Sequence, residues 1–124
     1  MSKRFLIILR RAPYGRLDAA EAVRHLSGAA ANGLDATALL LADGVYLAKV
    51  DQMASAGWTT LSTALAQLAT QTAGGTRGHL AVYAFGRDVD ARGLHQADLI
   101  PGCQLAGEAT VAELLTAASA TLVY

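Results

Sequence analysis

Phe5-Leu6-Ile7-Ile8-Leu9 is the stretch on which the fold turns. Lys3-Arg4 precede it and Arg10-Arg11 close it, so the run resembles the opening of a secretory leader. A leader needs an apolar region of ~7–15 residues, and a membrane-spanning helix needs ~20. Five residues satisfy neither. A short, continuous run rich in branched side chains instead suits a strand covered on both faces, as in a parallel sheet. The chain is therefore expected to be soluble and cytoplasmic, with no leader.

The pattern repeats outward from this strand. Arg10 to Gly15 carries Pro13 and Gly15 and reads as a loop. Residues 17–31 then place Ala19, Ala22, Val23, Leu26 and Ala30 at helical spacing, with Asp18 and Glu21 spaced as an N-terminal cap and Asn32-Gly33 as the stop. A second strand, Thr37 to Ala42, ends at Asp43-Gly44. Val45, Tyr46, Leu47 and Val50 could line a short helix, and Met53 to Gly57 reads as a mobile connection. Over 59–72, Leu61, Ala64, Leu65, Leu68 and Thr72 form one helical stripe, which Gly74-Gly75 interrupts. His79 to Phe85 is the third strand, and 86–94 is a polar loop or short helical turn. Pro101-Gly102 leads into a brief strand, Cys103 to Ala106. Thr110 and Glu113 have capping-box spacing ahead of Val111, Leu114, Leu115 and Ala118, and Thr121 to Tyr124 closes the chain as a strand. Strands interleaved with helices need crossovers, which predicts an α/β fold: a mainly parallel five-stranded sheet with helices on both faces.

Length and composition bound the rest. At 124 residues, 1–124 is one domain, and 53% hydrophobic residues against 16% charged supply a core. Ten basic residues balance ten acidic ones, so the basic field of a nucleic-acid binder is missing, while little repulsion opposes self-association. The single cysteine, Cys103, closes no internal disulfide and builds no Cys-rich zinc site.

In open α/β sheets, ligands bind beyond the carboxyl ends of the strands, which selects the loop 10–16, the Asp43-Gly44 turn and the segment 87–92. Arg10, Arg11, Tyr14 and Arg16 precede a helix N-terminus, a place where backbone N–H groups favour an anion. The simpler reading is that these arginines pair with Asp43, Asp88 and Asp90. Tyr14, Arg16 and the N–H groups after Gly15 are expected to meet the Arg87 to Arg92 loop across the sheet edge. No glycine-rich dinucleotide or Walker motif occurs, and His25, His79 and His95 lack metal-ligand spacing, so no cofactor and no metal are expected. Ser27, Ser55, Ser62 and Ser119 have no nucleophile-elbow motif around them. Asp88 and Asp90 could act as acid and base, but beside Arg87 and Arg92 they read as an ion-pair network. Cys103, between Pro101-Gly102 and an apolar strand, reads as a buried small hydrophobe. Trp58 and Tyr14 are the aromatics expected to line a cleft or a subunit contact.

Four segments, in order, resemble the DsrE/DsrF-like sulfur-relay family, in particular its small YchN-type members: Ala12-Pro13-Tyr14-Gly15, Asp43-Gly44-Val45, Asp90-Ala91-Arg92-Gly93-Leu94 and Leu99-Ile100-Pro101-Gly102. The resemblance spans nearly the whole chain. It implies a three-layer α/β/α fold and a homo-oligomer, a trimer or hexamer, in a family whose characterised members pass persulfide sulfur between proteins. Aligned on Asp90 to Gly93, the positions where the family places its sulfur-carrying cysteines hold Phe85 and Asp88, neither of which forms a persulfide. The expected function is a DsrE-like oligomer that binds a small anion or a partner protein in a sulfur-metabolism context through Arg11, Tyr14, Gly15, Arg16, Asp43, Phe85, Arg87, Asp88 and Arg92. The alternatives are a sulfur carrier or sulfurtransferase using Cys103, or a non-catalytic subunit of a hetero-oligomeric relay complex. No membrane partner is expected.

Overall fold

A computed structural model describes residues 4–53, 60–72 and 78–124. The opening apolar run is β1 (Arg4–Leu9), followed by α1 (Asp18–Ala31), β2 (Asp35–Leu40), α2 (Leu61–Thr72), β3 (Leu80–Phe85), α3 (Gly86–Ala91), β4 (Cys103–Ala106), α4 (Glu108–Ala117) and β5 (Ala120–Val123). The sheet order is β4-β3-β2-β1-β5, and every pairing is parallel. All strands therefore end on the same edge.

Leu6, Ile7, Ile8 and Leu9 are all buried, the result of covering both faces of β1. Ile7 and Leu9 point into the main core with Leu40, Val82 and Ala84, where α1 inserts Ala19, Ala22, Val23 and Leu26 and α2 inserts Leu65. Leu6, Ile8 and Leu39 face the other way, against Val111, Leu114 and Ala118 of and just beyond α4. The second layer is thinner, and no residue of α4 is fully buried.

Several element ends differ from the sequence expectation. The second strand spans Asp35–Leu40 instead of 37–42, because Ala42 takes a left-handed φ of +50° and opens a 3-10 segment, Ala42–Ala48, that buries Val45, Leu47 and Ala48. Asp18 and Glu21 do not cap α1: Leu17 is the cap residue, Asp18 accepts from Arg16 and Glu21 accepts from Arg24. The Thr110–Glu113 capping box is absent as well. Gly107 alone links β4 to α4, so the helix starts at Glu108 and Thr110 already lies in its first turn. Residues 86–91 are helical, and Gly33, with φ of +77°, ends α1 as expected. Trp58, Ser55, most of the Met53 to Gly57 connection and Gly74-Gly75 fall outside the described residues.

Candidate functional site

Register builds the site. Leu9 pairs with Leu40 and Leu40 with Ala84, so the next residues, Arg10, Leu41 and Phe85, stand side by side at the carboxyl edge. The Asp43-Gly44 turn folds over this edge. A Cβ on Gly44 would lie 2.1 Å from the Leu9 carbonyl oxygen, so only glycine lets the turn sit this close to β1.

Asp43 is thereby brought to Arg92, whose Nε and Nη2 lie 3.0 and 2.9 Å from Asp43 Oδ1. The same guanidinium donates to the Asp88 carbonyl at 3.1 Å and stands 3.8 Å from its carboxylate. Asp88 in turn accepts the Ala42 N–H at 2.6 Å. Two motifs distant in sequence thus form one bonded unit, and it holds Ala42 in its unusual conformation. Arg87 donates to Glu108 and lies 5.9 Å from the Phe85 ring centroid.

These contacts enclose a cleft of about 280 Å³ with Leu41, Ala42, Phe85 and Val111 as its apolar wall and Arg10, Asp88 and Glu108 at its polar rim. A shallower hollow of about 630 Å³ continues past Phe85 and Glu108 toward β4, bordered by Arg87, Asp90 and Leu105. Phe85 and Glu108 belong to both. Of the carboxylates at the cleft rim, Glu108 pairs with Arg87, and Asp88 shares Arg92 with Asp43. Among the described residues, no ion pair engages the Arg10 side chain, which also lines the cleft.

Of the residues expected from sequence, Phe85 and Asp88 line the cleft, Arg87 borders the adjoining hollow, and Asp43 and Arg92 brace the unit beneath. Arg11, Tyr14, Gly15 and Arg16 line neither. Arg16 Nε is bound to Asp18 Oδ2 at 2.7 Å, which also holds the Asp18 carboxyl below its ordinary range, and Tyr14 is exposed. Arg10, which the strand-end rule had picked out with the rest of the loop 10–16, does line the cleft, whereas Leu41, Ala42, Glu108 and Val111 were not anticipated as lining residues. Glu108 follows a strand within two residues, so the same rule could have found it.

Cys103 opens β4, opposite Val82, while the cleft lies level with Ala106 at the far end. Three residues of strand put about 10 Å between them. The thiol is buried in the core beneath α1 and α2, and desolvation pushes its pKa up to about 11. It lines neither cavity at the strand ends. His25 pairs through Nδ1 with the Tyr124 hydroxyl, and His95 forms a local capping box with Asp98. No group of three or more metal-ligating side chains occurs among the described residues, and no described helix is long and apolar enough to cross a membrane.

The model of the DsrE/DsrF-like family matches residues 3–124. The chain belongs to that family. Two solved structures share its fold. The YchN protein from E. coli superposes with a TM-score of 0.84 at 21% identity, covering all of both chains. The protein of unknown function MTH1491 from Methanobacterium thermoautotrophicum gives a TM-score of 0.75 at 14% identity, over 99% of this chain and all of the other. No curated protein matches the sequence. The DsrE-like frame is thus present in full, with an aromatic ring at the tip of β3.

Proposed function

We propose that this DsrE/DsrF-like chain is a binding protein that does not carry sulfur, and that its strand-end cleft takes a small anion with an apolar body. The observation behind this reading is the place of Arg10 in a cleft with apolar walls. No ion pair engages its side chain among the described residues, which leaves it to recruit a negative group beside the Phe85 ring. In the sulfur-metabolism context that the family suggests, organic thiosulfonates and thiocarboxylates have this form. The acidic side chain of a partner protein has the same chemistry in another source.

The reading includes a homo-oligomer, a trimer or hexamer. In support, the α4 side is thinly covered, with Leu115 and Val123 47% and 55% exposed, and Leu122, on the opposite face of the edge strand β5, is 38% exposed. Apolar exposure of this kind favours self-association. Light scattering after size exclusion reads the subunit count directly, and a monomer at micromolar concentration would remove this part.

Calorimetric titration of the native protein with methanethiosulfonate and benzenethiosulfonate is the main test. Saturable binding, stronger for the aromatic anion and lost in Arg10→Ala but kept in Arg11→Ala, supports the reading. Equal binding by both arginine variants overturns it. Persulfide accumulating on Cys103 after incubation with a sulfur donor, detected by mass spectrometry as one added sulfur atom, would instead establish the carrier function.

A further inference from the structure

A second cavity, of about 580 Å³, runs along α2 and shares no lining residue with the strand-end cleft. Ser62 lines it at the start of the helix. This serine is 4% exposed, and it is the buried polar residue among those described. No described residue hydrogen-bonds its hydroxyl, yet no sequestered side-chain oxygen or nitrogen lacks a partner, so the little accessibility Ser62 retains belongs to that oxygen and opens into the cavity. Thr63 lines the same end. Both lie in the first turn of a twelve-residue helix, the end at which the helix dipole is positive.

An acidic residue, itself exposed, lines the same cavity. Asp51 lines it, makes no ion pair among the described residues, and has no lysine or arginine beside it in the lining. The neighbouring Lys49 ammonium is turned onto the Val50 carbonyl at 3.2 Å. A simple anion at Ser62 would share the cavity with the Asp51 carboxylate, and a simple cation at Asp51 would share it with the positive helix end. A molecule carrying both charges satisfies both.

We propose that this cavity is a binding site for a small zwitterion, a free α-amino acid whose carboxylate meets the Ser62 hydroxyl and the first turn of α2 and whose ammonium meets Asp51. Its side chain extends along Gln67 and Gln71, one helical turn apart on the same wall. The site is independent of the strand-end cleft, and neither proposal rests on the other.

Titrating isotope-labelled native protein with L-glutamine, L-serine and L-leucine, followed by amide NMR, tests it. At least one amino acid should give saturable shifts centred on residues 51 and 61–63. Its deaminated and decarboxylated counterparts should each bind at least ten-fold more weakly. Ser62→Ala and Asp51→Asn should each weaken binding at least ten-fold while their urea melts stay close to the parent. In Asp51→Asn the preference for the amino acid over its deaminated counterpart should shrink. No saturable shift with any of the three up to tens of millimolar overturns the proposal, as does a deaminated acid that binds as tightly as its parent. Shifts confined to the strand-end cleft overturn it too.

Discussion

Gly44→Ala tests the idea that close approach of the Asp43-Gly44 turn to β1 assembles the site. The added Cβ would stand 2.1 Å from the Leu9 carbonyl oxygen and 2.7 Å from its carbon, both backbone atoms. Ordinary contacts between heavy atoms lie near ~3.5 Å, so backbone must part by more than ~1 Å. The same Leu9 oxygen accepts the Leu41 N–H at 2.9 Å, so the displacement also strains the β1–β2 edge from which the cleft is built. Overpacking of this kind costs ~1–3 kcal/mol, and an unyielding backbone neighbour places the cost at ~3 kcal/mol or above. With an unfolding entropy of ~2.1 cal/mol/K per residue, a domain of this length loses about 11 °C of Tm. Gly28→Ala is the matched control. Gly28 lies within α1, and a Cβ added there would meet nothing within 4 Å, so alanine should add ~0.5–1 kcal/mol. Urea melts and thermal scans of both variants give the answer. A Gly44→Ala protein within ~0.5 kcal/mol of the parent, or a Gly28→Ala protein that loses as much, would refute the reasoning.

The ion pairs should separate by burial. Arg92→Ala strips the partly buried Asp88 and the exposed Asp43 of their shared cation and should cost ~1–3 kcal/mol, whereas Arg87→Ala breaks an exposed pair and should cost under ~1 kcal/mol; equal losses in denaturant melts would contradict the bonded unit described above. Cys103 should resist alkylation near neutral pH until the chain unfolds. Because burial raises its folded pKa to about 11, stability is unaffected below the unfolded thiol's pKa and falls as pH rises toward 11, so the parent should lose ground to Cys103→Ala only in alkali; rapid native labelling contradicts this. Asp18, depressed chiefly by its hydrogen bond to Arg16, behaves oppositely. Its contribution is present above the unfolded carboxylate pKa and is lost as pH falls through the folded one, so the stability gap between parent and Arg16→Ala should close in acid, and a gap that widens there counts against the pairing.

The layer architecture was legible because burial on both faces of β1 leaves a continuous apolar run, and because the stripe of Ala19, Ala22, Val23 and Leu26 has one helical reading. What the pattern could not supply was the tertiary origin of local conformation. Ala42 carries no residue-type signal for a positive φ; the Asp88 carboxylate, forty-six residues away, holds its N–H. Thr110 and Glu113 have capping-box spacing, but the one-residue link at Gly107 had already started the helix. The site was legible in outline for a related reason. Strand ends are visible in sequence, so Phe85 and Asp88 could be placed at the edge, whereas the choice between Arg10 and Arg16 depended on which arginine finds a carboxylate nearby. Arg16 finds Asp18 two residues on, and Arg10 finds none among the described residues.

Strand polarity decides what the lone thiol can do. In an all-parallel sheet every strand delivers its last residue to the ligand edge and its first residue to the opposite one. Phe85 closes β3 and reaches the cleft; Cys103 opens β4 and is held by its register with Val82 inside the core. No side-chain rotation reverses this, because about 10 Å of hydrogen-bonded strand separates the two positions. The thiol would have to leave the α1 and α2 layer, and β4 would have to detach from β3, before Cys103 met anything bound beside Phe85. The same polarity leaves Arg10, just past the end of β1, lining the cleft that Phe85 also lines, with no ion pair among the described residues. In the reading proposed above, the geometry that keeps Cys103 away from the cleft is the geometry that gives the cleft its anion-binding arginine.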